Sequence, residues 1–265
     1  MKALDTSLDA PVSVPDSDKV AASFSRSAAS YDAHAGVQRR VAQDLLARLE
    51  VAQDEMMLDV GSGTGCHTYA LSQSGATVKG VDIAPGMVNY AASRYPALSF
   101  CQGHAESLPF HAQTFHQVFS SMALQWCHSP LQAMSEIHRV LKKGGRASLA
   151  IMVDGSFEEL DRARRVAGMS VTTNPQASHT RWCEAAARAG FTVRQASLIP
   201  YVDHHKDILS LLRSIKHTGA GVTTTDGAPL NRQDLKKLSM TYQSLHGDSN
   251  TFPLTYNISQ LIIEK

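Results

Sequence analysis

The sequence has few of the residues that build metal centres or disulfide frameworks. Its 265 residues include only four cysteines, which lie far apart without a C-x-x-C pair, and no histidine stands at metal-ligand spacing from them. We therefore expect no metal site and no disulfide, and free thiols in a reducing, cytoplasmic compartment. No stretch approaches the ~20 consecutive apolar residues that cross a bilayer, so no membrane span is predicted.

An excess of charge of one sign is also missing. Lys and Arg number 25 against 24 Asp and Glu, which leaves a formal net charge of +1. Proteins that bind nucleic acid through its phosphates carry a larger positive excess, so nucleic acid is not expected as a partner. Residues 1–18 lack the basic start and apolar run of a secretory signal and are interpreted as a disordered tail.

Short apolar runs alternate with amphipathic stretches along the rest of the chain. The runs predict seven strands, at residues 56–60, 77–81, 98–102, 117–122, 146–153, 192–202 and 256–264. The intervening stretches predict helices at residues 85–94, 130–141, 157–168, 180–189, 206–217 and 232–246. Such alternation implies an α/β domain over residues 19–265, with a mostly parallel sheet covered by helices on both faces.

Two helical segments are expected to lie beside this sheet rather than within its layers. Val37, Val41, Leu45 and Leu49 recur at every fourth position and predict one buried helix face. The polar segment before that helix could fold over a ligand, so residues 19–50 are predicted to be N-terminal lid helices. Residues 154–190, where the alternation changes, are interpreted as a small helical cap insertion.

A glycine-rich turn follows the first predicted strand. Gly61, Gly63 and Gly65 are spaced as G-x-G-x-G, and bare backbone there allows a ligand to approach closely. An ordinary tight turn is the alternative. The spacing differs from the G-x-G-x-x-G of dinucleotide sites, which disfavours a nicotinamide oxidoreductase. Asp59, just before the turn, could reach the amino group of a bound amino acid.

Two further segments indicate a nucleoside at this turn. Asp82 ends the second predicted strand, where a carboxylate can accept hydrogen bonds from both ribose hydroxyls. Its alternative role is a helix cap before Pro85. Residues 103–110 follow the third strand and could contact an adenine ring.

These motifs resemble those of class I S-adenosylmethionine-dependent methyltransferases over about residues 54–153. The matching stretches are 58–65, 81–83, 105–110 and 136–145. The resemblance implies a Rossmann-like fold with S-adenosylmethionine as the cofactor. Its methionine end would lie on Asp59 and the three glycines, its ribose on Asp82 and Ile83, and its adenine on His104 and Ala105. The family commonly has Asp at positions 104 and 116, where this chain has His.

Segments outside that core resemble the malonyl-acyl carrier protein O-methyltransferases of biotin synthesis. They are residues 24–35, 37–42, 120–127, 212–220 and 252–256. The resemblance implies methylation of the free malonyl carboxylate on an acidic carrier protein, which gives a methyl ester that fatty-acid elongation enzymes could accept. A small hydrophobic acceptor such as a quinone precursor is the alternative, and a regulatory protein without turnover is a second one.

The implied reaction needs few catalytic groups. A carboxylate titrates near pH ~4 and is already ionised at neutral pH, so no general base is required. Arg213 is the candidate clamp for the carboxylate and Tyr31 the candidate hydroxyl. Gln125, Trp126 and Lys216 are assigned to the acceptor side. A surface ion pair for Arg213, and packing roles for the two aromatic side chains, are the alternatives.

Three pairs or clusters of basic residues could face an acidic carrier protein. We rank the cluster on the cap helix, Arg162, Arg164 and Arg165, as the first candidate. The other two candidates are the pairs Lys142 and Lys143, and Lys236 and Lys237.

Overall fold

A computed structural model describes residues 10–218, 221–224, 230–246 and 251–265. Its seven strands form one sheet in the order β3-β2-β1-β4-β5-β7-β6. The strands are β1 (Met56–Val60), β2 (Thr77–Asp82), β3 (Ser99–Gln102), β4 (Phe115–Ser121), β5 (Leu141–Met152), β6 (Thr192–His205) and β7 (Phe252–Glu264). All the pairs are parallel except those of β7, which runs antiparallel between β5 and β6. The predicted α/β fold with a mostly parallel sheet is therefore confirmed.

Helices cover both faces of this sheet. They are α1 (Ser17–Ser27), α2 (Tyr31–His34), α3 (Gly36–Leu46), α4 (Cys66–Ser72), α5 (Pro85–Arg94), α6 (Pro130–Val140), α7 (Glu158–Val166), α8 (His179–Arg188), α9 (Ile208–His217) and α10 (Arg232–Leu245). Side chains alternate across each strand, so Leu58 and Val60 enter one apolar core while Met57 enters the other. Ligands of such sheets bind at the carboxyl ends of the parallel strands.

The N-terminal tail is shorter than the sequence predicts. Val12 and Val14 are buried in the core, and the main-chain N–H of Val12 donates to the carbonyl of His128 over 2.7 Å. Helix α1 then begins at Ser17, because the side chain of Asp16 accepts hydrogen bonds from the first N–H groups of the helix. The expectation of disorder is thus wrong for residues 10–18, and residues 1–9 lie outside the described part.

The cap predicted over residues 154–190 divides between two layers. Helix α7 packs against α10 and β7, whereas α8 packs against α6 and the last two strands. Trp182, Ala185 and Ala186 share one buried face of α8 in the core of the sheet, which makes α8 a layer helix. The cover over the carboxyl edge is instead built from α7 together with the C-terminal helices α9 and α10.

The described residues contain no helix that is long and apolar enough to span a membrane. Within the same ranges, no group of three or more His, Cys, Asp or Glu side chains could hold a metal ion. All four cysteines carry free thiols.

Candidate functional site

The glycine turn after β1 forms one wall of a cavity at the carboxyl edge of the sheet. This glycine-turn cavity, of about 760 Å³ including the solvent at its mouth, is lined by Gly61, Gly63 and residues that follow β2, β3 and β4. Gly61 has φ +77°, and a Cβ atom there would lie 2.1 Å from the Cβ of Ala123. At Gly63, with φ +52°, a Cβ would meet nothing within 4 Å. Gly61 is thus required by packing, whereas Gly63 leaves bare backbone beside open space.

Gly65 lies behind the turn rather than on the cavity wall. It caps α4 in a left-handed conformation with φ +79°. A Cβ there would lie 2.8 Å from the ring of Phe100 and 2.9 Å from Ala91. Gly65 therefore allows close packing of α4 on the neighbouring elements, and its cofactor contact stays a prediction.

Asp82 lies on the cavity wall, as its place at the end of β2 predicts. Its carboxylate accepts hydrogen bonds from the main-chain N–H groups of Gly63, at 2.9 Å, and Ala84, at 2.8 Å. Burial raises the pKa of Asp82, while the two N–H donors lower it. The carboxylate keeps further acceptor capacity for a ligand, so the capping role and the binding role are compatible.

Asp59 does not line the glycine-turn cavity. It is 2% exposed, and its carboxylate accepts a hydrogen bond from the hydroxyl of Thr68 at 2.7 Å. Burial raises the pKa of Asp59 to about 6. The side chain fastens α4 to β1 beneath the glycine turn, and its contact with the amino group of a ligand stays a prediction.

The segments after β2 and β3 supply the far wall of the cavity. This wall includes Ile83, which follows β2, and His104 and Ala105, which follow β3, in agreement with their predicted side of the site. The ring of His104 accepts a hydrogen bond from the main-chain N–H of Glu106 at 3.1 Å and lies 3.2 Å from the Ser17 hydroxyl. Histidine at this position therefore links the wall to α1. The second departure, His116, lies at the opposite end of the sheet, where its ring accepts from the N–H of Met56.

Helix α1 covers the cavity and contributes residues that the sequence did not single out. Ser17, Val20 and Phe24 line it. The hydroxyl of Ser25 accepts a hydrogen bond from the N–H of Gly86 at 3.0 Å, which holds α1 against α5. A buried apolar stripe on α1 was the available signal, but one short helix does not reveal which surface it covers.

The turn after β4 completes the cavity. Ser121, Met122 and Ala123 line it. Met122 has φ +57°, a left-handed conformation that costs a bulky residue strain and turns the chain sharply above the glycine turn. The position immediately after a parallel strand was the sequence signal for these residues.

Tyr31 lies where the glycine-turn cavity meets a second, inner cavity. The inner cavity, of about 380 Å³ including open solvent, shares Phe24, Tyr31, Met122 and Trp126 with the first. Burial and the charge of Asp82 raise the pKa of Tyr31 well above its usual value. Its hydroxyl has no hydrogen-bond partner among the described residues and stays protonated at neutral pH, so it is a free donor at this junction.

Gln125 and Trp126 reach the same junction from a short helical turn after β4. Gln125 lines the inner cavity, and its side-chain amide donates to the carbonyl of Met122 at 2.7 Å. The Trp126 ring packs edge-on against Phe24, with 5.7 Å between ring centroids. Its indole N–H is buried without a partner in the described part of the chain. The packing role expected as an alternative and an acceptor-side role therefore coexist.

Helix α9 brings one of its two predicted cations to a cavity. Lys216 lines a third, side cavity that also shares Trp126. Arg213 is exposed on the same helix and is not among the residues that line these three cavities. It lines none of the cavities that Tyr31 lines, so its role as a clamp stays a prediction. Part of the motif that carried it, residues 219–220, lies outside the described residues.

The glycine-turn cavity fits the predicted cofactor, S-adenosylmethionine. Gly63 leaves backbone open to a ligand, and the hydroxyl of Ser121 is buried without a partner among the described residues. Asp82 would hold the ribose, Gly61 and Gly63 the methionine end, and the segment 104–105 the adenine.

Comparisons with known proteins agree with this geometry. Residues 58–149 match a family model described as "Methyltransferase domain". The crystal structure of a putative methyltransferase from Bacillus halodurans superposes with a TM-score of 0.61 at 18% identity, over 84% of this chain and 98% of that one. This likeness shows the fold.

Two curated relatives match along nearly the whole chain. A malonyl-acyl carrier protein O-methyltransferase from Herminiimonas arsenicoxydans is 36% identical over 265 residues, covering 95% of this chain and 98% of the relative. A biotin biosynthesis bifunctional protein from Cellvibrio japonicus is 33% identical over 255 residues. The chain spans 50% of the length of that larger protein.

Proposed function

Since the chain belongs to the malonyl-acyl carrier protein O-methyltransferase family, we propose that it methylates the free carboxylate of malonyl-acyl carrier protein. The product is the methyl ester, and the step belongs to biotin synthesis. S-adenosylmethionine is the cofactor, as the sequence predicts. The free thiols support the predicted cytoplasmic location.

The observation that carries the proposal is the free hydroxyl of Tyr31 between two cavities. On one side lies the glycine-turn cavity, and on the other lies the inner cavity, whose wall includes Phe157, Ile215 and Tyr256. A malonyl group in the inner cavity would present its carboxylate at this junction.

The reaction asks the protein for alignment rather than for proton transfer. When bound, the cofactor supplies a methyl group on a positively charged sulfur. The malonyl carboxylate is already an anion at neutral pH, so no residue has to remove a proton. Tyr31 is protonated at neutral pH, as any tyrosine near its ordinary pKa of about 10 is. Its hydroxyl donates a hydrogen bond to one carboxylate oxygen and leaves the other free to react.

The apolar walls of the junction exclude water from the reacting carboxylate. Phe24 and Trp126 close it from the side of α1, and Met122 closes it from β4. Removing water around the carboxylate increases its reactivity and strengthens the hydrogen bond from Tyr31. The buried N–H of Trp126 is a second donor available to the acceptor.

We place the carrier protein at the mouth of the side cavity, where Lys216 is exposed.

Of the predicted cap-helix cluster, Arg162 and Arg165 are exposed but Arg164 is buried, which corrects its predicted surface role. Arg165 pairs with Glu158 at 3.1 Å. Lys142 and Lys143 begin β5, at the edge opposite the cavities, and do not serve this approach. Lys236 and Lys237 are exposed on α10.

Mass spectrometry tests the proposal directly. Incubation of malonyl-acyl carrier protein with the enzyme and S-adenosylmethionine should add one methylene unit to the malonyl group. Acetyl-acyl carrier protein, which has no free carboxylate, and a hydroquinone are the controls and should remain unmodified. A methylated hydroquinone together with unchanged malonyl-carrier would contradict the proposal.

The same assay decides the role of Arg213. If Arg213 moves onto the carboxylate when substrate binds, Arg213→Ala lowers turnover by about tenfold or more with unchanged cofactor affinity. Turnover equal to that of the unsubstituted enzyme would assign Arg213 to the surface and leave Tyr31 as the carboxylate donor.

A further inference from the structure

A buried arginine that forms no ion pair within 4.0 Å among the described residues lies beside the site, and the carboxylate whose charge acts on it is that of Asp161. Arg164 of α7 is 8% exposed and lines the side cavity, which has a volume of about 970 Å³ including its open mouth. One of its terminal nitrogens donates to the carbonyl of Ser170 at 3.2 Å, but its Nε–H has no partner among the described residues. A buried guanidinium is costly unless all its donors are used, so this group indicates a ligand.

A hydrogen-bond acceptor without a partner belongs to the same cavity. Gln176 lines it, and the Oε1 atom of Gln176 is buried without a partner in the described ranges. Asp161, on the same helix as Arg164, does not line the cavity, and its Oδ2 accepts from the hydroxyl of Thr173 at 2.5 Å. The cavity therefore offers a free donor together with a free acceptor.

The cavity wall is held in place by its own contacts. Asn174 donates to the carbonyl of Val222 at 2.7 Å and accepts from the N–H of Thr224 at 2.9 Å. These bonds fix the segment that carries Thr173 and Gln176 against the chain after α9. The unpartnered atoms consequently belong to a formed site rather than to a loose surface loop.

This set of groups selects for a particular chemistry. An ionised phosphate could pair with Arg164 but has no donor of its own, so it would leave the Oε1 atom of Gln176 unpaired. A hydrocarbon chain would leave every polar atom unpaired, at a cost for each. A secondary amide, which has one acceptor and one donor, satisfies Arg164 and Gln176 at the same time.

The position of the cavity identifies where such amides come from. Trp126, Met152, Phe157 and Ile215 line both the side cavity and the inner cavity, so the two are neighbours. We propose that the side cavity binds the amide groups of the pantetheine arm that joins the malonyl thioester to its carrier, through Arg164 and Gln176. This inference rests on the proposed function and adds the residues that recognise the arm.

The test compares two malonyl thioesters, one that carries the pantetheine arm with its amides and one that lacks the arm. Malonyl-pantetheine carries two amides, and the malonyl ethyl thioester carries none. The unsubstituted enzyme should methylate malonyl-pantetheine with a kcat/KM about tenfold or more above that for the ethyl thioester. Arg164→Met should remove this preference by lowering only the value for malonyl-pantetheine. Arg48→Met, at an exposed arginine beyond α3, is the control and should change neither value.

A binding measurement separates this inference from the proposed function. Pantetheine itself, which has no malonyl group, is titrated by calorimetry into the enzyme loaded with S-adenosylhomocysteine. Arg164→Met should weaken pantetheine binding about tenfold, whereas cofactor affinity should remain unchanged. Gln176→Leu, which keeps the buried arginine, should also weaken it and serves as the second variant if Arg164→Met does not fold.

The outcomes are distinct. Equal kcat/KM for the two thioesters, or pantetheine binding unaffected by both variants, would overturn the side-cavity assignment while leaving malonyl methylation intact. Pantetheine binding that depends on Arg164, without methylation of any malonyl thioester, would support the assignment and refute the proposed function.

Discussion

The carboxylate of Asp82 accepts a hydrogen bond from the main-chain N–H of Gly63 over 2.9 Å. The end of β2 is thereby fastened to the glycine turn of β1, and the same carboxylate also accepts from Ala84. Asp82 is consequently both a turn support and the predicted ribose ligand. A substitution that removes the whole side chain would change both roles, so the isosteric amide is the sharper test.

Asp82→Asn should weaken cofactor binding while preserving the fold. The amide oxygen can still accept one main-chain N–H, but the charge that strengthens hydrogen bonds to ribose hydroxyls is lost. We expect the dissociation constant for S-adenosylmethionine to rise about tenfold or more, measured by calorimetry. Asp44→Asn, at a carboxylate that accepts from Tyr201, is the control. Unchanged affinity of Asp82→Asn would remove Asp82 from the site.

Gly61→Ala should destabilise the protein strongly. Its Cβ would lie 2.1 Å from Ala123, and φ is +77°. Left-handed backbone costs an alanine about 1–2 kcal/mol, and overpacking adds about 1–3 kcal/mol. Gly36→Ala is the matched control, because nothing lies within 4 Å of its Cβ and it begins α3. Urea unfolding should show little change or a gain for Gly36→Ala; equal stability of the two variants would contradict the packing at Gly61.

Asp59 should make stability depend on pH. Burial raises the pKa of Asp59 from 3.8 to about 6, so between these values the folded state binds more protons than the unfolded state. Stability from this group is therefore highest below its unfolded pKa and is lost as the pH rises through its folded pKa. Asp59→Asn should gain about 2–3 kcal/mol relative to the unsubstituted protein between about pH 4 and about pH 7. Urea unfolding at both pH values measures this, and a constant difference would contradict it.

Tyr31→Phe should lower turnover without weakening the cofactor. The ring keeps its place against Phe24, whereas the free hydroxyl at the cavity junction is lost. We expect kcat on malonyl-carrier protein to fall about tenfold or more, with the dissociation constant of S-adenosylmethionine unchanged. Tyr69→Phe, on an exposed ring that stacks with Tyr95, is the control. Parallel losses in both variants would argue against a donor role.

The sequence predicts the sheet and its ligand edge well because those features are local. Alternating apolar runs place the strands within a few residues of their observed bounds, and the glycine spacing fixes the turn. Asp59 was assigned to the ligand because spacing along the chain does not distinguish a side chain that faces the cavity from one that supports it. Val12 and Val14, likewise, are buried only because a distant surface receives them.

The packing of distant segments also determines which basic side chains lie near the acceptor. The sequence predicts Arg164 to be one of three surface cations. The fold instead buries its side chain, on α7, within the cover that α7 forms with α9 and α10. Arg213 and Lys216 belong to the same helix, yet only Lys216 faces a cavity. A rotation of α9 about its axis could bring Arg213 to the cavity in place of Lys216. The amino-acid sequence of the helix alone does not specify this rotation.

The antiparallel placement of β7 has a consequence for how the chain is made. Because β7 lies between β5 and β6, β6 finds no partner until residues 252–264 have left the ribosome. Until then the growing polypeptide exposes the edge of β5, an aggregation hazard that nascent-chain chaperones recognise. When β7 pairs, it therefore covers the exposed edges of β5 and β6 in a single step.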